Sequence, residues 1–127
     1  MRTNWLVLGA LSGALTVALG AFGAHALEAR LEPRELEIWQ TGVQYQGLHA
    51  LALGWVGLQA RVSGRGAGAG LAFLAGTLLF SGSLYGLALG APKSVGAITP
   101  VGGAAFLLGW ALLAMAARSG GTPARDA

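Results

Sequence analysis

The chain is a series of long apolar stretches separated by short charged ones. Residues 5–27, 38–60, 66–92 and 94–117 contain no Asp, Glu, Lys or Arg, and these stretches are 23, 23, 27 and 24 residues long. A helix needs about 20 apolar residues to cross the hydrocarbon core of a bilayer. The pattern therefore predicts an all-α polytopic membrane protein, with four transmembrane helices in a compact bundle joined by short loops, as one domain over residues 1–127.

The four spans are predicted at about residues 5–27, 42–60, 70–89 and 99–117, followed by a disordered tail at 118–127. The tail is rich in Gly, Thr, Pro and charge, which is typical of unstructured termini. The first span resembles a signal peptide in having a basic residue before it and small residues near its end. Its apolar run is longer than the usual signal core of about 7–15 residues, so we expect the span to be retained.

The one charge-dense segment, residues 28–37, is predicted to be a short surface segment at the membrane interface. Pro33 favours the first turn of a helix, and the negative charge of Glu35 is favourable near a helix N-terminus. Trp39 follows directly and is expected to anchor the segment, because indole rings prefer the interface between lipid and water.

Composition agrees with a membrane location and excludes several classes of protein. The chain is 54% hydrophobic and 10% charged, whereas soluble domains are about 25% charged. This excludes a soluble enzyme domain, a nucleic-acid-binding domain and a disordered chain. The 22 Gly allow close approach of helices in lipid. The predicted partners are the lipid bilayer and a second copy of the chain through Gly/Ala faces, as a homo-oligomer, and no nucleic acid.

The distribution of basic residues predicts the orientation, because Lys and Arg are enriched on the cytoplasmic side. One side of the predicted bundle holds Arg2, Arg61, Arg65, Arg118 and Arg125, and the other holds Arg30, Arg34 and Lys93. We therefore expect a multi-pass protein of the cell (inner or plasma) membrane with both termini in the cytoplasm. The chain has no Cys, which excludes disulfides and thiolate chemistry.

The side chains that could carry chemistry are few. No carboxylate lies inside any predicted span, and the only Asp is Asp126 in the tail. His25 and His49 are candidates because ionisable residues inside a membrane are costly. His49 lies six or seven residues into its span, about 9–10 Å deep at 1.5 Å per residue. The two could share a ligand site or a proton relay. Alternatively, His25 pairs with Glu28 at the interface and His49 bonds Tyr45 or a neighbouring helix.

A metal or haem site is less well supported, because zinc usually takes four ligands and two histidines supply no third. We expect no metal, no cofactor and no catalytic residue, so the chain is not predicted to be an enzyme.

Neutral polar residues recur at helical spacing in the second and third spans. Thr41, Tyr45 and His49 share one helix face, since residues four apart are neighbours on a helix, and Ser81 and Tyr85 do the same in the third span. The glutamine amides are expected either to hydrogen-bond between helices or to line a polar cavity. The predicted ligand-binding residues are His25, Thr41, Gln44, Tyr45, His49, Ser81 and Tyr85.

Four motifs in order resemble one known family. They are Gly-Ala-Phe-Gly-Ala-His-Ala-Leu at 20–27, Trp-Gln-Thr-Gly-Val-Gln-Tyr-Gln-Gly-Leu-His-Ala-Leu-Ala-Leu at 39–53, Phe-Ser-Gly-Ser-Leu-Tyr-Gly-Leu-Ala-Leu at 80–89 and Ile-Thr-Pro-Val-Gly-Gly at 98–103. The chain resembles the YgdD-like family of small membrane proteins, also called the transmembrane protein 256 family or domain of unknown function 423. The resemblance implies a small multi-pass membrane protein and no settled activity. The characteristic positions that it implies are His25, Trp39, Thr41, Tyr45, His49, Ser81, Ser83, Tyr85, Thr99 and Pro100.

Three functional hypotheses remain open. The favoured one is a structural or lipid- and partner-binding bundle, with a polar site near the outer ends of spans one and two. The alternative is a small proton-coupled or small-solute transporter that acts as an oligomer, with His49 as its titratable group. A third is an enzyme or haem protein that uses His25 and His49.

Overall fold

The chain folds into four helical segments connected by short turns. The structure is a computed structural model that describes residues 3–119, and those residues form helices and turns without any strand. The predicted all-helical fold is confirmed, while most of the predicted tail lies outside the described residues. The four segments are α1 (Trp5–Leu27), α2 (Pro33–Ser63), α3 (Ala67–Ala88) and α4 (Lys93–Arg118).

Three of these segments are long and apolar enough to cross a membrane, namely α1, α3 and α4. The fourth, α2, is the longest at 31 residues but is less apolar. Its middle carries Gln44, Gln46 and His49, which lower the mean hydropathy of every stretch that could span. Length and composition therefore support three spans among the described residues, and the fourth span that the charge-free runs predict is not confirmed by this criterion.

The charged segment before the second span differs from the prediction. Glu32 has extended backbone angles (φ −65°, ψ 157°) and Pro33 opens α2, so α2 begins well before the predicted start at residue 42. The charged residues after Pro33 are the first turns of this long helix and not a separate surface segment. Trp39 is only 3% exposed. It does not anchor the chain in the interface, because its indole ring packs against Gly23 of α1.

Two of the helices contain a π-helical turn, in which the hydrogen-bonded ring is one residue wider than in an α-helix. In α1 the last turn, Gly23–Leu27, is π-helical. In α3 the turn Thr77–Ser81 lies between two α-helical parts, Ala67–Gly76 and Gly82–Ala88. The wider turn in α3 lies where its backbone packs most tightly against α4, since a Cβ at Gly102 would collide with the backbone of Phe80.

Thr99 does not cap α4, although Thr is a common residue at the start of a helix. A 3₁₀ turn, Lys93–Ala97, leads directly into the α-helix Ile98–Arg118, so Thr99 lies within the first α-helical turn. Its hydroxyl bonds Ser83 of α3 at 2.6 Å and so joins two helices instead of capping one.

Neighbouring helices run antiparallel. Trp39, near the start of α2, packs on Gly23 near the end of α1, while Gly57, near the end of α2, packs against the backbone of Leu6 near the start of α1. Further packing joins α2 to α3 and α3 to α4. Residues 28–32 and 89–92 connect helices at one end, called here the two-loop end. The opposite end, called the termini end, holds the turn at residues 64–66.

Aromatic rings lie directly on glycines where α3 meets α4. A Cβ added to Gly109 would lie 2.6 Å from the ring of Phe73, and one added to Gly76 would collide with the ring of Phe106. Each helix thus contributes one ring and one glycine, three residues apart, and the two pairs interlock. These rings, with Trp5, belong to the main apolar core.

Prediction: Gly102→Ala lowers the free energy of unfolding by about 1–3 kcal/mol, the usual cost of forcing extra volume into a packed interior. The matched control is Gly13→Ala, since a Cβ at Gly13 would meet nothing within 4 Å. Thermal unfolding in detergent, followed by circular dichroism, measures both variants. Equal stability of the two would contradict the close approach of α3 and α4.

Candidate functional site

A continuous buried stripe runs along α2 and carries two of the four buried polar side chains of the described residues. Its members follow alternating spacings of three and four residues, which place them on one side of a helix. They are Trp39, Gly42, Gln46, His49, Leu53 and Val56, and all are buried. The site is therefore built around the inward side of α2, with the other three helices supplying its partners.

Gln46 joins α1, α2 and α3. Its side chain is 3% exposed, and its Oε1 accepts a hydrogen bond of 2.6 Å from the Tyr85 hydroxyl. Its Nε2 donates to the backbone carbonyl oxygen of Ser12 at 3.3 Å. A buried amide is costly unless it is hydrogen-bonded, and here the bonds also connect three helices.

The serines of α3 make two further connections between helices. Ser81 has no exposed surface, and its hydroxyl donates to the backbone carbonyl oxygen of Gly42 at 2.7 Å. Gly42 is also where the Tyr85 ring lies, since a Cβ there would be 2.8 Å from it. Ser83 shares its hydrogen bond with Thr99 of α4. These hydroxyls thus act as links between backbones that lie close together.

His49 occupies a defined neutral tautomer. Its Nδ1 lies 2.7 Å from the backbone carbonyl oxygen of Tyr45, which can only accept, so Nδ1 carries the hydrogen. The indole Nε1–H of Trp110 donates to Nε2 of His49 at 3.1 Å, so Nε2 carries a lone pair. Both ring nitrogens therefore take part in hydrogen bonds, Nδ1 with a backbone group of α2 and Nε2 with a side chain of α4.

The His49 ring is also enclosed by aromatic side chains. It is 2% exposed and lies on the ring of Phe106 with centroids 3.5 Å apart and planes 7° apart, while Phe73 packs at 5.5 Å. Binding a metal or a proton at Nε2 would require breaking the bond from Trp110. Within residues 3–119, no three His, Cys, Asp or Glu side chains come together as a metal site would need.

The predicted site residues divide between this interior and the surface. His49, Ser81 and Tyr85 are brought to the inward side of α2, but in separate hydrogen-bond networks. His25 is exposed in the π turn of α1, and no hydrogen bond joins it to His49 among the described residues. The two histidines thus lie in different surroundings, His25 at the surface and His49 in the interior. Tyr45 also lies partly outside the interior, since it is 43% exposed.

Thr41 and Gln44 lie away from the buried stripe. The Thr41 hydroxyl donates to the backbone carbonyl oxygen of Glu37, one turn earlier in α2, at 3.0 Å. Gln44 is exposed, whereas Gln46, which the predicted site omits, is the buried amide. The predicted site also omits Trp110, which bonds His49. The spacing of three and four residues that links Trp39 to His49 through Gln46 is the sequence signal that distinguishes the two glutamines.

Comparisons with known proteins place the chain in a family. The family described as "Protein of unknown function (DUF423)" matches residues 19–103. The UPF0382 membrane protein YwdK of Bacillus subtilis (strain 168) is 47% identical over 116 residues, which cover 89% of this chain and 94% of that protein. The chain belongs to this family. The UPF0382 inner membrane protein YgdD of Escherichia coli (strain K12) is 46% identical over 114 residues, 88% of this chain and 87% of that protein.

The family resemblance inferred from the four motifs is thus confirmed. The relatives are named membrane proteins, one of them an inner membrane protein, and three helices of this chain are apolar enough to cross a bilayer. The chain is therefore a membrane protein of a family whose function is unknown. No solved structure matches it.

Prediction: Trp110→Phe lowers the free energy of unfolding by about 1–3 kcal/mol, because it leaves Nε2 of His49 buried without a donor. Trp55→Phe is the matched control, since Trp55 is 62% exposed and makes no hydrogen bond among the described residues. Both are measured by thermal unfolding in detergent. A Trp110→Phe protein as stable as the control would show that the bond contributes nothing.

Proposed function

We propose that the chain is a four-span membrane bundle without catalytic activity, which binds a lipid-like molecule or a partner within the bilayer. The observation that carries this proposal is the use of the interior polar groups. Gln46, His49 and Ser81 each have a partner on another helix. Polar groups arranged in this way hold helices together in hydrocarbon, and none of the three is held ready to react with a substrate.

The packing of α2 against α1 supports a fourth span. At the two-loop end the indole N–H of Trp39 donates to the backbone carbonyl oxygen of Leu19 at 3.0 Å. At the termini end Gly57 packs against the backbone of Leu6. A helix in contact with α1 at both ends must cross the same slab of lipid as α1. At 1.5 Å per residue, α2 is about 46 Å long, more than the roughly 30 Å of the hydrocarbon core.

The geometry of His49 favours this function over proton-coupled transport. A transporter that used His49 as its titratable group would need Nε2 to accept and release a proton during each cycle. Trp110 donates to that nitrogen, and a protonated Nε2 would face another donor. Proton uptake would therefore require α2 and α4 to separate locally, in a region where the ring of His49 is stacked on Phe106.

We also propose that both termini lie in the cytoplasm of the cell. Arg61, Arg65 and Arg118 are at the termini end of the bundle, while Arg30, Arg34 and Lys93 are at the two-loop end. The sequence adds Arg2 and Arg125 near the two termini, and this majority of five basic residues against three supports the orientation, because positive charge is retained on the cytoplasmic side.

Prediction: single cysteines report the number of spans and their direction. The chain has no Cys, so Glu32→Cys and Arg65→Cys each introduce one thiol. In intact cells a membrane-impermeant maleimide should label Glu32→Cys, and it should label Arg65→Cys only after permeabilisation, because α2 separates the two positions by the whole bilayer.

Ser94→Cys, at the two-loop end, is the matched control and should label like Glu32→Cys. Labelling of Glu32→Cys and Arg65→Cys from the same side would show that α2 does not span. The reverse pattern would keep the four spans and overturn the orientation.

A further inference from the structure

An open groove lies between α1 and α3, with α2 as its floor. Its volume is about 450 Å³, within the 300–1,000 Å³ that is typical of ligand sites. Leucines from α1 and α3 form most of its walls, and the polar residues that line it are Ser12, Gln46, Thr77 and Tyr85. An apolar groove with a few polar groups is the usual composition of a site for a small lipophilic molecule.

Two side chains that line the groove keep a hydrogen-bond donor without a partner among the described residues. The Ser12 hydroxyl is buried and has no partner among the described residues. The Gln46 amide nitrogen carries two hydrogens, and one of them goes to the backbone carbonyl oxygen of Ser12. The hydroxyls of Thr77 and Tyr85 already donate, to Phe73 and to Gln46 respectively, and so have only acceptor lone pairs left. The donors of Ser12 and Gln46 are thus complementary to a ligand that carries acceptor oxygens.

We propose that this groove binds a lipid-soluble carbonyl compound of the quinone class. The ring carbonyl accepts hydrogen bonds from Ser12 and Gln46, and the hydrocarbon chain lies along the leucines of α1. This inference rests on the proposed function of the chain as a membrane bundle that binds a lipid-like molecule, and it names the chemical class of that molecule. No redox step is part of it.

The depth of the donors favours a quinone over a phospholipid. Ser12 lies four residues from Thr16, the middle residue of α1, so it is about 6 Å along the axis from the centre of the span. Half of the hydrocarbon core is about 15 Å. The ester carbonyls of a phospholipid lie at the edge of that core and carry a charged headgroup. A quinone ring has no charge and can reach Ser12 from within the lipid.

The chain offers two glycines that test the groove as a matched pair. A Cβ added at Gly82 or at Gly13 would meet nothing within 4 Å. Gly82 lines the proposed groove, whereas Gly13 lines a separate groove between α1 and α2. Gly82→Leu therefore fills the proposed site, and Gly13→Leu makes the same change elsewhere on the bundle.

The experiment measures quenching of tryptophan fluorescence by decylubiquinone in vesicles that contain the full chain. Trp39 reports on the site, because its ring lies 4.6 Å from that of Tyr85. We expect saturable quenching for the unchanged chain and for Gly13→Leu. For Gly82→Leu we expect no saturable quenching. Ser12→Ala should bind about fivefold more weakly, as expected for one lost hydrogen bond. Ser94→Ala, which makes the same change at an exposed position outside the groove, should bind normally.

Several results would overturn the proposal. These are the absence of saturable quenching in the unchanged chain, an equal loss in Gly13→Leu, and equal competition by decylbenzene, which has the chain but no carbonyl. Loss of quenching by bromine-labelled phosphatidylcholine in Gly82→Leu, with decylubiquinone unaffected, would assign the groove to phospholipid tails. If circular dichroism shows that Gly82→Leu is unfolded, the comparison of Ser12→Ala with Ser94→Ala decides.

Failure of this proposal is separable from failure of the proposed function. Cysteine labelling in the same vesicles tests the four spans independently of any ligand. A chain that labels as a four-span protein and does not bind decylubiquinone overturns only the quinone site. A chain in which Glu32→Cys and Arg65→Cys label from one side overturns the four-span bundle itself.

Discussion

Aromatic rings that lie on glycines are the contacts on which the rest of this bundle depends. Between helices in lipid there is little hydrophobic driving force, so association relies on close packing and interhelical hydrogen bonds. The rings of Trp39 and Tyr85 combine the two. Each lies on a glycine of a neighbouring helix, and each donates a hydrogen bond to a neighbouring helix. The seated rings are Trp5 on Gly70, Trp39 on Gly23, Phe73 on Gly109, Tyr85 on Gly42 and Phe106 on Gly76.

The low hydropathy of α2 follows from its position among the other helices. Gln46 and His49 are turned toward α1, α3 and α4, and both are almost fully buried. The positions of α2 that face outward include Leu51, which is 77% exposed, and Trp55. A helix shielded by others can carry amides and imidazole at membrane depth, because protein groups and not lipid surround them. The low average hydropathy of α2 therefore reflects the helices that pack against it as well as the medium around the bundle.

The all-helical fold could be predicted from sequence because charge-free runs of about 20 residues leave few alternatives. The burial of Ser81 and His49 could be anticipated from the cost of exposing them to lipid. Which of Gln44 and Gln46 faces inward could not be predicted from a face defined by Thr41, Tyr45 and His49. That face shares His49 with the buried stripe, but Thr41 and Tyr45 lie to one side of it, and the contacts of α2 with its neighbouring helices set the rotation.

The hydrogen-bond partner of His49 could not be predicted from the sequence, for a different reason. Trp110 lies 61 residues further along the chain, and no local pattern specifies which helix meets which. The predicted span at 42–60 omits the first turns of α2, although Pro33 favours the first turn of a helix and does open α2. Charged residues limit an apolar run but do not end a helix, so charge-free runs do not give the start of α2. The homo-oligomer through Gly/Ala faces stays a prediction.

The π turn at Thr77–Ser81 has a consequence for how the family can change through insertion and deletion. A π turn is an α-helix with one residue inserted. Removing that residue would leave α3 helical but would rotate one half against the other by about 100°, the turn per residue of an α-helix. Phe73 would then keep its glycine while Tyr85 turned away from Gln46. A change of length in this turn would thus disturb contacts between helices, which a change of length in a loop need not do.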